Sequence, residues 1–155
     1  MCLAEGISFE TVFRTEDLQD TESQFCFSTT DAFIYSLYRE KFQSLPLNEE
    51  RAFSLSVYAT IARHYLKPQA TKSWYFQPSS EPQLGGIKAG DWVTAQGLHP
   101  AIYLVLDADE SACDVMLISR EHHLDENRFL TEGKVVRVHK DRIAPVLFNI
   151  EESQL

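Results

Sequence analysis

The chain has 155 residues, of which 44% are hydrophobic, 24% charged and 12% aromatic. That length suits one ordinary domain or two very small ones, and the composition excludes disordered, collagen-like and disulfide-scaffold classes. Its 14 Lys and Arg stand against 23 Asp and Glu, a formal net charge of -9, which argues against a general nucleic-acid binder and against docking on anionic lipid, since both need cations to neutralise phosphate. The nearly uncharged stretch of residues 52–62 is far shorter than the roughly 20 apolar residues that span a bilayer. Residues 1–6 carry no basic n-region and no long apolar run, so neither a secretory signal nor a transit peptide is expected, and the default compartment is the cytoplasm. Cys2, Cys26 and Cys113 are too few and too widely spaced for a disulfide framework or a zinc site and read as reduced thiols.

In chain order, Ile7, Phe9, Val12 and Phe13 follow Gly6 with two-residue alternation and residues 24–27 are β-prone, which predicts a small N-terminal sheet; residues 15–23 read as a polar connection. From Ser28 onward STTD precedes Ala32, Phe33, Ile34, Leu37, Tyr38 and Phe42 at helical spacing, predicting a helix that stops near Ser44, before Leu45-Pro46. A second helix starts from Asn48 as N-cap, with Glu49 and Glu50 complementing the helix dipole, and runs to about Leu66, before Pro68. Along it Phe53, Val57, Ile61 and Tyr65 form a stripe expected to face the core rather than a partner. The two helices are expected to pack as an antiparallel hairpin against the sheet. In QPSSEPQLGG, residues 77–86, Pro, Ser and Gly gather, which places a seam between an N-terminal α/β domain, residues 1–77, and a C-terminal barrel-like domain, residues 82–155. Beyond it the period switches to two over residues 91–94, 101–107, 114–119 and 134–139, with turns between them. The expected class is therefore α+β, two small domains, with the second a twisted antiparallel β-barrel that is SH3-like in pattern from its opening GDWV.

Catalytic signatures are missing from this sequence. Neither GxGxxG nor a GxxxxGK[ST] loop occurs. His122 and His123 are adjacent and would point to opposite faces of a strand, and the carboxylates of residues 107–110 lack calcium-loop spacing, so no metal or cofactor is expected. No Ser or Cys sits in a nucleophile elbow. What departs from composition is charge placement. Residues 51–80 contain no Asp or Glu but carry Arg51, Arg63, Lys67 and Lys72, and the end of this window also holds Tyr65, Trp74, Tyr75 and Phe76. Cations beside aromatics are the side chains that most often dominate protein interfaces. A second basic island follows at Lys134, Arg137, Lys140 and Arg142, alternating with valines. If the islands adjoin in space they form a basic, aromatic-floored cleft suited to an acidic protein surface. The other reading is an SH3-like barrel that binds RNA or a ribosomal surface through the KVVRVHK strand, against the cost of the -9 charge.

Residues 63–76, RHYLKPQATKSWYF, resemble the segment joining the helical part to the barrel in Z-ring-associated protein C, the ZapC family of bacterial cell-division proteins; the shared core is YLKPQ followed by KSW and an aromatic. Weaker resemblance extends through LAEG at 3–6, FCF at 25–27, the two helices and KDRIAP at 140–145. Relative to that family an aromatic-rich first strand is missing, so the N-terminal sheet is expected to be incomplete. The resemblance implies a non-enzymatic monomer without cofactors that sits at the mid-cell division ring, contacts the globular core of the tubulin-like GTPase FtsZ, bundles its filaments laterally, stabilises the Z ring and lowers GTP turnover. By motif match, Lys67 in YLKPQ, Lys72 and Trp74 in KSW, and Arg142 in KDR would contact this partner.

Overall fold

The computed structural model describes residues 2–3, 7–8, 12–19, 28–80 and 86–155. At the N-terminus β1 (Cys2–Leu3) pairs antiparallel with β2 (Ile7–Ser8). Val12 and Phe13, expected to continue the alternation, lie in a bend, and Thr15–Asp17 form a 3-10 turn. The β-prone residues 24–27 and residues 20–23 of the polar connection lie outside the described residues.

Helix α1 (Thr29–Gln43) is set by Ser28, whose Oγ accepts the Asp31 N–H at 3.1 Å while the Asp31 carboxylate accepts the Ser28 N–H at 2.9 Å. This reciprocal capping box satisfies two helix-terminal donors. Helix α2 (Glu49–Tyr65) starts where Asn48 Oδ1 accepts the Arg51 N–H at 2.8 Å, and it ends at Leu66, which is already extended two residues before Pro68. The helices contact each other along their length, with the Tyr35 and Phe53 rings 6.2 Å apart. Two opposite sides of α2 are buried. Ala52, Leu55, Ala59 and Ala62 lie against the β-sheet described below, whereas Val57 and Ile61, members of the apolar stripe, are buried on the other side with Phe53 half-buried beside them. Ser56 and Thr60 are also buried, and each donates its hydroxyl back to the helix, to the Ala52 and Ser56 carbonyls at 2.6 and 2.7 Å.

The second half builds β3 (Trp92–Gln96), β4 (Pro100–Ala108), β5 (Ala112–Leu117), β6 (Glu121–His123), β7 (Phe129–Thr131), β8 (Val135–His139) and β9 (Ile143–Pro145). Five of them form an antiparallel sheet in the order β8-β5-β4-β3-β9, and β6 and β7 make a separate hairpin. The run 101–106 is buried at every position because both faces of the sheet are covered. Ile102, Leu104, Leu106, Met116, Ile118 and Val135 meet α2 and Phe42 on one face. Val93, Tyr103, Val105, Val115, Leu117, Val136, Val138 and Ile143 point to the other, which Phe76, Ile87 and Leu130 close.

The expected SH3-like barrel is corrected to an open sheet. Edge strands β8 and β9 are joined by a single 3-10 turn, Lys140–Arg142, with no ladder between them among the described residues. The reason is that another segment holds the β8 edge. Thr71 bridges Arg137 in parallel, the Lys72 N–H donates to the Arg137 carbonyl at 2.7 Å, and the His139 N–H donates to Ser73 Oγ at 2.8 Å. The same segment then runs on to the other side of the gap, where the Gln77 N–H reaches the Gln96 carbonyl and the Ser79 N–H the Asp141 carbonyl. Residues 71–73 thus take bonds at the β8 edge that a closing strand would make.

Candidate partner-binding surface

Those hydrogen bonds bring the two basic islands together: residues 71–73 of the first lie against Arg137 and His139 of the second. The 3-10 turn Ser73–Tyr75 then splits three consecutive aromatics between surface and core. Trp74 is 61% exposed, its ring set edge-on to Tyr75 at 4.5 Å. The Arg128 guanidinium lies 4.5 Å from the Trp74 ring and 5.6 Å from that of Tyr75, a cation–π arrangement reaching in from the β6–β7 hairpin. Phe76 turns inward, edge-on to Tyr103 and stacked on His122 at 5.7 Å. Burial pushes the His122 imidazole down to about 4, so at neutral pH it is uncharged. Its Nε2 faces the His99 carbonyl at 2.7 Å and therefore carries the proton, leaving Nδ1 to accept from the Tyr103 hydroxyl at 2.7 Å. His123 on the same strand is exposed, so the histidine pair is split between faces.

Each residue singled out by the sequence has a defined environment. Lys72 is half-buried at the start of the turn. Lys67 sits at the end of α2, its Nζ donating to the Glu16 carbonyl at 2.7 Å and its N–H to the Asp17 carbonyl at 2.9 Å. It lines a cleft of about 380 Å³ together with Arg63, Asp107, Asp114 and Arg137. Charges in this cleft are largely matched: Arg63 lies 3.6 Å from Asp107, and Arg137 joins Asp114 at 3.2 Å and also pairs with Asp109. Asp109 is held at about 2, first by the Ala112 and Ser111 N–H groups and then by Arg137, whereas burial outweighs Arg137 at Asp114 and raises it. Arg142 points inward, donating from Nη1 to the Phe76 carbonyl at 2.8 Å. Lys72 and Trp74 therefore belong to one turn, of which Trp74 is the exposed member, Arg142 braces that turn from below, and Lys67 belongs to the cleft at the end of α2. Arg128 completes the aromatic group, and no spacing in the sequence announced it because it lies more than fifty residues from Trp74.

Cys113 is buried with its thiol pushed up to about 11 by burial, which leaves little thiolate to react. Among the described residues no group of three or more His, Cys, Asp or Glu is placed to hold a metal ion, and no helix is long and apolar enough to cross a membrane.

Residues 68–149 match the family model described as cell-division protein ZapC, C-terminal. The cell division protein ZapC of Musicola paradisiaca is 29% identical over 152 residues, covering 93% of this chain and 78% of the relative. Those of Proteus mirabilis and Shewanella woodyi are each 29% identical over 146 residues, covering 92% and 93% of this chain and 78% and 80% of the relative. The model match includes Lys72, Trp74, Arg128 and Arg142 and begins one residue after Lys67.

Proposed function

Because the chain belongs to the ZapC family of cell-division proteins, we propose that it acts in cell division as a non-enzymatic monomer that binds FtsZ filaments at the mid-cell ring. It promotes their lateral association, stabilises the ring and lowers GTP turnover as subunits stay in filaments longer. The observation that supports this reading best is the exposed Trp74 ring, on a turn that follows half-buried Lys72 and is bonded to the second basic island, with Arg128 over the ring. A large exposed aromatic fixed beside cations is costly to leave in water and is the usual make-up of an interface hot spot. In a chain of net charge -9 such a spot selects an acidic protein surface while the surrounding carboxylates repel polyanions. Binding of RNA through the KVVRVHK strand is less well supported, since its valines face the core and Arg137 is engaged by Asp109 and Asp114.

The test is co-sedimentation of the purified chain with FtsZ and GTP, with phosphate release scored in the same tubes. Enhanced pelleting with slowed release is expected, and Lys72→Glu and Trp74→Ala should each weaken it several-fold or more, as truncation of a hot-spot residue costs about 2 kcal/mol. A wild-type chain that fails to pellet overturns the proposal.

A further inference from the structure

On the helix-facing side of the sheet, Val146, Ile150 and Leu155 pack into the core that α2 and Phe42 share with the strands. Beside them lies a cavity of about 590 Å³. Its floor is Thr94 and Ile102, which are paired across β3 and β4 and so point to the same face. Pro100, Phe148 and Leu155 add apolar walls. Hydrogen bonds fix the spacing of floor and roof. The Ser119 hydroxyl accepts the Ile102 N–H at 3.1 Å and donates to the Gln154 carbonyl at 2.7 Å, while the Leu155 carbonyl accepts from Arg51 at 2.6 Å. The 3-10 turn Glu152–Gln154 is closed in its turn by the Gln154 side chain, which accepts the Glu151 N–H at 2.9 Å.

The polar groups at this cavity differ in whether they are already engaged. Glu121 turns to His123, 3.4 Å from its Nε2. The His99 ring is held between the Pro100 carbonyl at 3.2 Å and the His123 N–H at 3.3 Å. Arg120, just before β6, is exposed, and its guanidinium makes no hydrogen bond or ion pair among the described residues; nor do the Thr94 and Ser153 hydroxyls at the same cavity. We infer that the cavity is a binding site for a small amphipathic acid, its aliphatic or aromatic body lying between Ile102, Phe148 and Leu155 and its carboxylate on Arg120. The volume falls within the roughly 300–1,000 Å³ of small-molecule sites, which are apolar concavities with a few orienting polar groups. A guanidinium with no partner offers a fork of donors that matches a carboxylate and repels a cation. The cavity lies on the opposite face of the sheet from Phe76, which anchors the Trp74 turn, so the site stands apart from the proposed FtsZ contact. A second copy of the chain is disfavoured as occupant, because each copy carries -9 and like-charged bodies repel.

Octanoate, octanol and octylammonium share one aliphatic body and differ in charge, so titrating each into the full chain separates the two parts of the site. The readout is the NMR shift of the Ile102 and Leu155 methyls and the Phe148 ring, with Val57, buried on the other side of α2, as the internal control. Octanoate should move the first three and leave Val57 in place, with a Kd on the order of 1 mM for a ligand of about ten heavy atoms. It should bind roughly tenfold more tightly than octanol, the worth of a charge-assisted hydrogen bond, and octylammonium should bind no better than octanol. Arg120→Gln changes an exposed, unpartnered side chain, so its thermal midpoint should stay at the wild-type value within experimental scatter while octanoate falls to the affinity of octanol. Octanoate that moves none of the three resonances overturns the site. Equal affinity for octanoate and octanol in the wild-type chain, or tighter binding of octylammonium, overturns an acid as its ligand. Shifts at the three residues that grow with protein concentration alone, or that FtsZ produces and no octyl compound does, overturn the small molecule in favour of a second copy or of the protein partner.

Discussion

His122 lies beneath Phe76, the aromatic that anchors the Trp74 turn, and its neutrality links the core to pH. In the folded chain burial holds it at about 4, against about 6.5 for an unperturbed imidazole. Between these values the unfolded chain binds a proton that the folded chain refuses, so stability is complete above about pH 6.5 and falls as pH drops through 4. The full loss is about 3 kcal/mol. Urea midpoints should fall steadily from pH 7 to pH 4.5, and His122→Gln should flatten that slope while lowering stability throughout; an unchanged slope would show that another group titrates. Asp31 acts in a lower window. Burial favours its neutral form, but bonds from the Ser28 hydroxyl and N–H, from His64 at 2.6 Å and from the Tyr65 hydroxyl at 2.9 Å outweigh it and hold the carboxyl at about 2. Its contribution is present above the ordinary carboxylate value and is lost as pH falls from about 4 through 2. That loss should appear as a separate limb of acid unfolding, removed in Asp31→Asn.

At the scale of elements, Arg51 fastens the start of α2 to the sheet half. Its Nε donates to Glu132 at 2.6 Å, and its Nη2 donates to the carbonyls of Ile118 at 3.1 Å and Leu155 at 2.6 Å. The side chain is largely buried, so Arg51→Ala leaves a carboxylate and two carbonyls without their donor and should cost about 3 kcal/mol. Differential scanning calorimetry should register it as a drop of several degrees, and a change within error would mean water replaces all three bonds. Both helices were legible from the sequence because their signals are local: Ser28 with Asp31, Asn48 with its acidic first turn, and the stops before Pro46 and Pro68 lie within a few residues of the ends they set. The sheet-facing side of α2 was not legible, since three of its four residues are Ala and small side chains give a weak periodic signal while permitting close approach. The β6–β7 hairpin was hidden for a similar reason: its strands have three residues each, too few for alternation to stand out from a turn.

Across the whole molecule, the expected barrel failed where sequence patterns carry no information, at the edges. Strand runs announce themselves by alternation, but which backbone covers β8 depends on residues 71–79 returning to it from more than sixty positions away. The same return determines the candidate surface. The basic islands could be counted in the sequence, and their adjacency could not; nor could the inward aim of Arg142, whose charge suggested an exposed contact. This gives Lys72 and Arg142 different expected phenotypes although both stand in the proposed interface. Arg142 holds the carbonyl of Phe76, and Phe76 plugs the sheet core against Tyr103 and His122. Arg142→Ala should therefore loosen residues 71–79 as a unit, raising hydrogen exchange at the Lys72, Gln77 and Ser79 amides and costing about 1–3 kcal/mol. Its loss of FtsZ pelleting would follow from a displaced Trp74 as much as from the missing charge. Lys72→Glu should leave those amides protected and still weaken pelleting. Equal protection in the two variants would mean that Arg142 contributes only its charge, and that the segment is held by its backbone bonds alone.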